Sequence, residues 1–189
     1  MGKVNFNVKN AIEEIEAFQE KAQEIAYEKY QDGKEKFLDD FENHPVTQEI
    51  EGGANAPNSS NTLNGIGNLF SYIGFYQNQN PISDLKKVLN ENFNFRRKSK
   101  NTFLIKYPDL EKIKSQTPMP WEGGRSWVLG IERGISGFGY YLYKKFNEGR
   151  SKEGIQTKNK VRSSSFKKVR YMSEIINNFV KSINKWKPN

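Results

Sequence analysis

The sequence predicts an α+β protein: a long N-terminal helix, a small, mostly antiparallel sheet with a short helix, and a closing C-terminal helix. Three observations carry that prediction. Apolar residues step by threes and fours at Ile12, Ile15, Phe18, Ala22, Ile25/Ala26, Tyr30, Phe37 and Phe41, with one slip near Gly33, and again at Phe166, Val169, Ile176, Phe179/Val180, Ile183 and Trp186, which is the period of one helix face. Between these stretches lie short apolar runs bounded by Gly, Pro and Asn, the pattern of strands and turns. The 189 residues are 35% hydrophobic and 13% aromatic, enough for one packed domain without metals or disulfides.

The first helix is expected within residues 1–42, from Asn10, with Glu13 closing a capping box, to about residue 42. At 1.5 Å per residue it is roughly 50 Å long. His44-Pro45 ends it, because a residue before proline avoids the α region. Residues 43–68 are rich in Asn, Gly, Ser and Pro and read as an extended loop, a length that implies function or ordering by a partner. A sheet region with short helices follows over 69–162. Leu69–Phe75 reads as a short strand, Pro81 to about Asn92 as a short helix, and Thr102–Tyr107 as a strand. A turn of helix runs from Pro108 to Lys114. After the rigid Pro118–Trp121 and permissive Gly123-Gly124, Ser126–Arg133 and Phe138–Phe146 read as a hairpin. Ser163-Ser164-Ser165 would cap a last helix over 163–187.

Charge divides the chain. Residues 1–51 hold 6 basic and 13 acidic side chains, whereas residues 96–189 hold 22 basic and 7 acidic. Such asymmetry suits either a nucleic-acid partner or head-to-tail packing of copies, acidic face on basic face. The absence of Cys excludes disulfide scaffolds, thiolate zinc sites and thiol catalysis. No apolar run nears the ~18 residues that span a bilayer, and MGKVNFNVKN carries no signal-peptide pattern. A soluble intracellular protein is expected.

Little supports catalysis. With His44 the sole histidine, neither a Ser-His-Asp triad nor a multi-His metal site is available in the ordinary form. Asp39, Asp40, Glu42, His44 and Glu49 lie near one another in sequence, as a cation site or as a polar helix end. Gly65-Ile66-Gly67 lacks the third Gly of a dinucleotide loop, so no cofactor is expected. Pro108-Asp109-Leu110-Glu111-Lys112 is similar to a restriction-type metal site, but Ile113 stands where that pattern needs Lys. Tyr72-Ile73-Gly74 matches half of a GIY-YIG nuclease, without the Gly-Ile-Tyr that should lie about ten residues upstream. A metal-dependent nuclease remains the third reading; the sequence favours a non-enzyme.

The basic stretch is the better candidate for function. Lys144, Lys145, Arg150, Lys152, Lys158, Lys160 and Arg162 are interleaved with few acids and suit either a phosphate-tracking surface or an acidic protein neighbour. Trp121, Arg125 and Trp127 form a second candidate. Such residues anchor protein interfaces, although a core role is the ordinary one for the tryptophans.

Taken together, three segments resemble virion proteins of tailed bacteriophages. They are His44-Pro45-Val46-Thr47-Gln48-Glu49-Ile50, Gly67-Asn68-Leu69-Phe70-Ser71-Tyr72-Ile73-Gly74-Phe75 and Pro120-Trp121-Glu122-Gly123-Gly124-Arg125-Ser126-Trp127. The order of long helix, loop, small sheet and last helix is similar to the tail-completion or neck class of head–tail connectors. The resemblance implies a non-enzymatic, ring-forming structural protein in the virion, assembled in the host cytoplasm. Its partners would be its own copies, portal, adaptor or tail-tube proteins, and passing DNA. The alternative from the charge pattern alone is a small basic nucleic-acid-binding protein.

Overall fold

A computed structural model describes residues 16–63, 67–100, 102–120, 122–134 and 168–185. Helix α1 spans Glu16–Glu42. Its carboxyl half buries Tyr30, Gly33, Phe37 and Phe41 in a file of threes and fours, while Phe18 and Tyr27 of its amino half are about half exposed. The chain breaks at Asn43-His44, and Pro45 begins α2, Pro45–Glu51. A proline suits the first helical position because that N–H has no intrahelical acceptor. A 3₁₀ turn at Gly53–Asn55 leads on to α3, Leu69–Ile73, and α4, Pro81–Glu91.

Strands β1, Asn94–Ser99, and β2, Thr102–Lys106, form an antiparallel ribbon in which Phe95 faces Ile105 and Arg97 faces Phe103. Next come α5, Leu110–Gln116, a second ribbon of β3, Pro118–Met119, with β4, Glu122–Ser126, and α6, Trp127–Arg133. Helix α7, Met172–Asn184, closes the described chain.

The α+β class, the long first helix and the closing helix are as the sequence predicts. Four local readings change. Within the extended loop expected over 43–68, α2 and the 3₁₀ turn occupy Pro45–Glu51 and Gly53–Asn55, and residues 56–63 carry no helix or strand. Leu69–Phe75 is helix α3 and not a strand. Its five apolar-rich residues are too few for periodicity to decide, and the ends decide instead. Asn68 Oδ1 accepts from Ser71 N at 2.9 Å, and Gly74 closes the helix at φ 87°, a left-handed cap that glycine adopts without a Cβ penalty. Ser126–Arg133 is likewise helix α6 with Ser126 as N-cap, its Oγ accepting from Leu129 N at 3.2 Å. Trp127, Leu129 and Ile131 alternate as a strand would, but the cap and the buried set Trp127, Val128 and Ile131 have the helical spacing. The expected second hairpin strand, Phe138–Phe146, lies outside the described residues. Finally, among the described residues the small sheet is two separate two-stranded ribbons, and β1 was not expected because Phe95 is its sole apolar residue.

Helices α1 and α7 run antiparallel, since Tyr171 meets Phe41 (ring centroids 6.3 Å) while Ile183 lies beside Gly33. The break in the apolar series of α1 at Gly33 has a steric cause. A Cβ there would stand 3.1 Å from Ile183 Cδ1 and 3.2 Å from Phe179 Cε2, so the helices approach through the missing side chain. Phe37, Phe93 and Phe179 meet edge to face at 5.1–5.9 Å, the arrangement that aromatic quadrupoles favour. Helix α7 begins at Met172 with Tyr171 at its N-cap position, and Ser163–Ser165 lie outside the described residues. Its fully buried residues are Met172, Ile175 and Phe179, with Ile176, Val180 and Ile183 half-buried, a stripe turned slightly from the one expected.

Candidate interaction surfaces

Polar residues first account for how the segment after α1 is held. Glu49 is 1% exposed, and its two carboxylate oxygens are spent on backbone. Oε1 accepts from Leu69 N at 2.7 Å and Oε2 from Ser60 N at 2.9 Å. Asn68, also buried, donates from Nδ2 to the carbonyls of Gly53, Ala54 and Ala56 at 2.7–3.1 Å. A buried carboxylate is tolerated when donors replace its water, so Glu49 is a structural clamp. The acids and His44 do not converge: among the described residues no group of three or more His, Asp or Glu is arranged to hold a metal.

His44 caps α2, its Nδ1 accepting from Val46 N at 3.2 Å, and its ring lies 4.7 Å from that of Tyr171. Burial lowers its pKa below the usual imidazole range, outweighing the Arg170 carbonyl and Glu174, which raise it. Beneath it Thr47 Oγ1 and the wholly buried Tyr171 hydroxyl share a 2.7 Å hydrogen bond, and burial pushes that hydroxyl far above its ordinary range. The sign of the pH effect follows. Below about pH 6.5 the unfolded chain takes up a proton that folded His44 resists, so stability is full above that pH. It falls as pH drops toward the lowered folded value. Urea midpoints between about pH 7.5 and 5 should therefore decline, and His44→Asn, which caps without titrating, should flatten the decline. An unchanged slope in His44→Asn would remove His44 as its source.

Asp109, one of the nuclease-like acids, is the N-cap of α5, its Oδ1 accepting from Lys112 N at 2.7 Å, and exposed Glu111 pairs with Lys114 at 3.6 Å. Two clefts flank the segment between α3 and α4. One of about 510 Å³ lies against Gly52-Gly53-Ala54, and one of about 630 Å³ lies against Gln116–Pro120. Their ionisable lining groups, Glu51 and Asp84, are exposed and belong to different clefts.

The strongest features are two charged surfaces. Along α1 the exposed carboxylates Glu20, Glu24, Glu28, Asp32, Glu35, Asp39 and Glu42 step by fours and threes. They form a file on the side of the helix opposite Tyr30, Phe37 and Phe41. Lys21 bonds Glu24 at 2.8 Å, Lys36 bonds Asp40 at 3.3 Å, and Lys86 pairs with Glu42. Like charges four apart cost an isolated helix ~0.2–0.5 kcal/mol per pair, which the Lys21–Glu24 pair offsets only in part. The second surface is the β1–β2 ribbon. Its inner face lies on α1, with Phe95 5.5 Å from Tyr27 and 5.4 Å from Tyr30, and Arg97 Nη2 donates to Gln19 Oε1 at 2.7 Å. The outer face carries Arg96 opposite Leu104 and Lys106 opposite Asn94, with Lys98 at the bulge and Lys100 in the turn. All four cations are exposed, and no acid lies between Asn94 and Lys106. The ribbon leans on the aromatic side of α1 and the acids lie on the opposite side, so the two surfaces point away from each other.

The residues singled out from sequence fare unevenly. Lys144, Lys145, Arg150, Lys152, Lys158, Lys160, Arg162 and Trp121 lie outside the described residues. Arg125 is exposed on β4. Trp127 is a correction as an interface anchor: it is 2% exposed and packs edge to face on Phe75 at 5.8 Å, so its surface is spent in the core. The ribbon cations were missed, although Arg96-Arg97-Lys98-Ser99-Lys100 is a visible basic run; what was lacking was the strand that displays them. Among the described residues no helix is long and apolar enough to cross a membrane. Comparison of the chain with protein-family models, curated proteins and solved structures finds no match.

Proposed function

We propose that this protein is a structural virion component of a tailed phage, of the neck or tail-completion kind, that joins head and tail by assembling head to tail into a ring. The observation that carries the proposal is the pair of opposed surfaces, acidic along α1 and basic along the outer ribbon. Two such surfaces on one chain cannot meet within it but can meet between copies. A contact between unlike patches is heterologous, and heterologous contacts close into rings when the rotation allows. Portal, adaptor or tail-tube proteins are the further partners in this reading, and neither surface calls for a cofactor or a reaction.

Light scattering on the purified protein, with and without duplex DNA, tests it. Oligomers at about 0.1 M salt should dissociate toward 1 M, where the Debye length shrinks to ~3 Å, and should ignore DNA. Reversing Glu24, Glu28 and Asp32 to Lys should weaken association at least roughly tenfold, since like charges across an interface cost several kcal/mol. Salt-insensitive particle size, or association unmoved by the reversal, would remove this interface.

A second reading has its own support in the basic ribbon face: nucleic-acid binding. It expects a monomer that shifts with DNA and loses the shift at high salt. Replacing Arg96 and Lys98 with Ala, or Lys144, Lys145, Lys158 and Lys160 with Ala, should then flatten the log–log salt slope by nearly one unit for each phosphate no longer neutralised. A slope unmoved by both sets would sink it.

A further inference from the structure

The cleft of about 630 Å³ lies between the loop ahead of α4, the first turn of α4 and the segment Gln116–Pro120, and its volume falls within the range of small-molecule sites, about 300–1,000 Å³. None of its lining residues belongs to α1 or to the β1–β2 ribbon, so neither charged surface accounts for it. Its floor is apolar. Met119 and Trp127 are buried there, and half-buried Phe75 packs edge to face on Trp127 at 5.8 Å while keeping part of its ring open to the cleft.

The rim is polar, and its composition selects a ligand class. Asn78, Gln79, Asn80, Asp84 and Gln116 line it, all exposed. Two of the amides are pinned by their oxygens: Gln79 Oε1 accepts from Tyr76 N at 2.9 Å and Asn80 Oδ1 from Ser83 N at 3.0 Å. Their NH₂ groups are thereby set as donors. The side chains of Asn78, Gln116 and Asp84 have no hydrogen-bond or ion-pair partner among the described residues. No Lys, Arg or His is among the described lining residues, so an anion would enter without a counter-charge. A purely apolar ligand would strip water from the amides and return no hydrogen bond. A neutral polyhydroxylated ligand answers both demands. Its hydroxyls donate to Asp84 and accept from the pinned NH₂ groups, adjacent hydroxyls match the paired donor and acceptor of a free planar amide, and its C–H face rests on Phe75. We propose that this cleft binds a neutral saccharide, held by Asn78, Gln79, Asn80, Asp84 and Gln116 over the ring of Phe75.

NMR titration of the isotope-labelled full chain tests it, with lactose, maltotriose, mannobiose and diacetylchitobiose each added to about 10 mM, enough to register a millimolar Kd. At least one sugar should shift the side-chain amide resonances of Asn78 and Gln116. Its affinity should hold between about 0.1 and 1 M salt, because the ligand carries no charge to be screened. Asn78→Ala combined with Gln116→Ala, and separately Asp84→Ala, should each weaken binding roughly tenfold or more, since two neutral hydrogen bonds or one to a charged group are lost. All three side chains are exposed, so the spectrum away from the cleft should stay that of the folded protein. No shift with any of the four sugars, or a shift that both variants leave intact, would overturn the proposal. Spermidine or arginine shifting these amides in place of a sugar would overturn the ligand class and give the cleft to a cation facing Asp84.

Discussion

Phe37→Ala is expected to lower the unfolding free energy by about 3–5 kcal/mol, the range for emptying a buried phenylalanine site. The ring is 1% exposed and sits where α1, the start of the ribbon and α7 converge, edge to face with Phe93 at 5.1 Å and with Phe179 at 5.9 Å. Its loss removes apolar burial, two quadrupolar interactions and the atoms that fill the gap between helices. Collapse into that gap is hindered because α1 and α7 already touch at Gly33, where Phe179 and Ile183 stand against the backbone. With total stabilities of about 5–15 kcal/mol and urea slopes of about 1–3 kcal/mol per M, the midpoint should fall by at least about 1 M. A loss below about 1 kcal/mol would mean that α7 does not pack on α1 as described.

Glu49→Ala should cost about 3 kcal/mol or more, a large effect for a charged residue. Each of its two hydrogen bonds is charge-assisted, and bonds of that kind contribute about 1.5–3 kcal/mol. The substitution leaves Leu69 N and Ser60 N without their acceptors, and Leu69 N opens α3, where a helix N-terminus also favours negative charge. Glu49→Gln discriminates the cause. It preserves volume and one acceptor but turns an amide donor toward a second donor, so it should lie between wild type and Ala. Proteolysis of residues 52–68 should quicken in the same order. If Glu49→Ala behaves as a surface substitution, within about 0.5 kcal/mol, the clamp does not hold that segment.

Both residues show how much of this architecture was legible beforehand. Phe37 stands in a run of apolar residues at helical spacing, long enough for the period itself to identify α1 and its inner face. The same holds for α4 and for the α7 stripe. Glu49 stands in a polar stretch, where a buried carboxylate has no local sign, because its partners lie 11 and 20 positions along the chain. Helices α3 and α6 are five and seven residues long. At that length strand and helix patterns coincide, and the caps at Asn68, Gly74 and Ser126 settle the matter.

The candidate surfaces divide in the same way. Charge content is additive along the chain, so the sequence by itself determined that the first fifty residues are acidic and the carboxyl half basic. The α1 period even places the carboxylates on one side. Which cations share a face depends on pairing, however. Arg96 and Lys106 belong to one outer surface because β1 and β2 pair with Phe95 opposite Ile105; a register shifted by one residue would turn Arg96 inward. Tertiary structure alone also decided the fate of Trp127, since an aromatic beside Gly-Gly-Arg becomes core or anchor according to what packs on it, and here Phe75 does. Local patterns are set by neighbours a few residues away, whereas burial, register and the opposition of two charged faces are set by contacts between segments far apart in the chain.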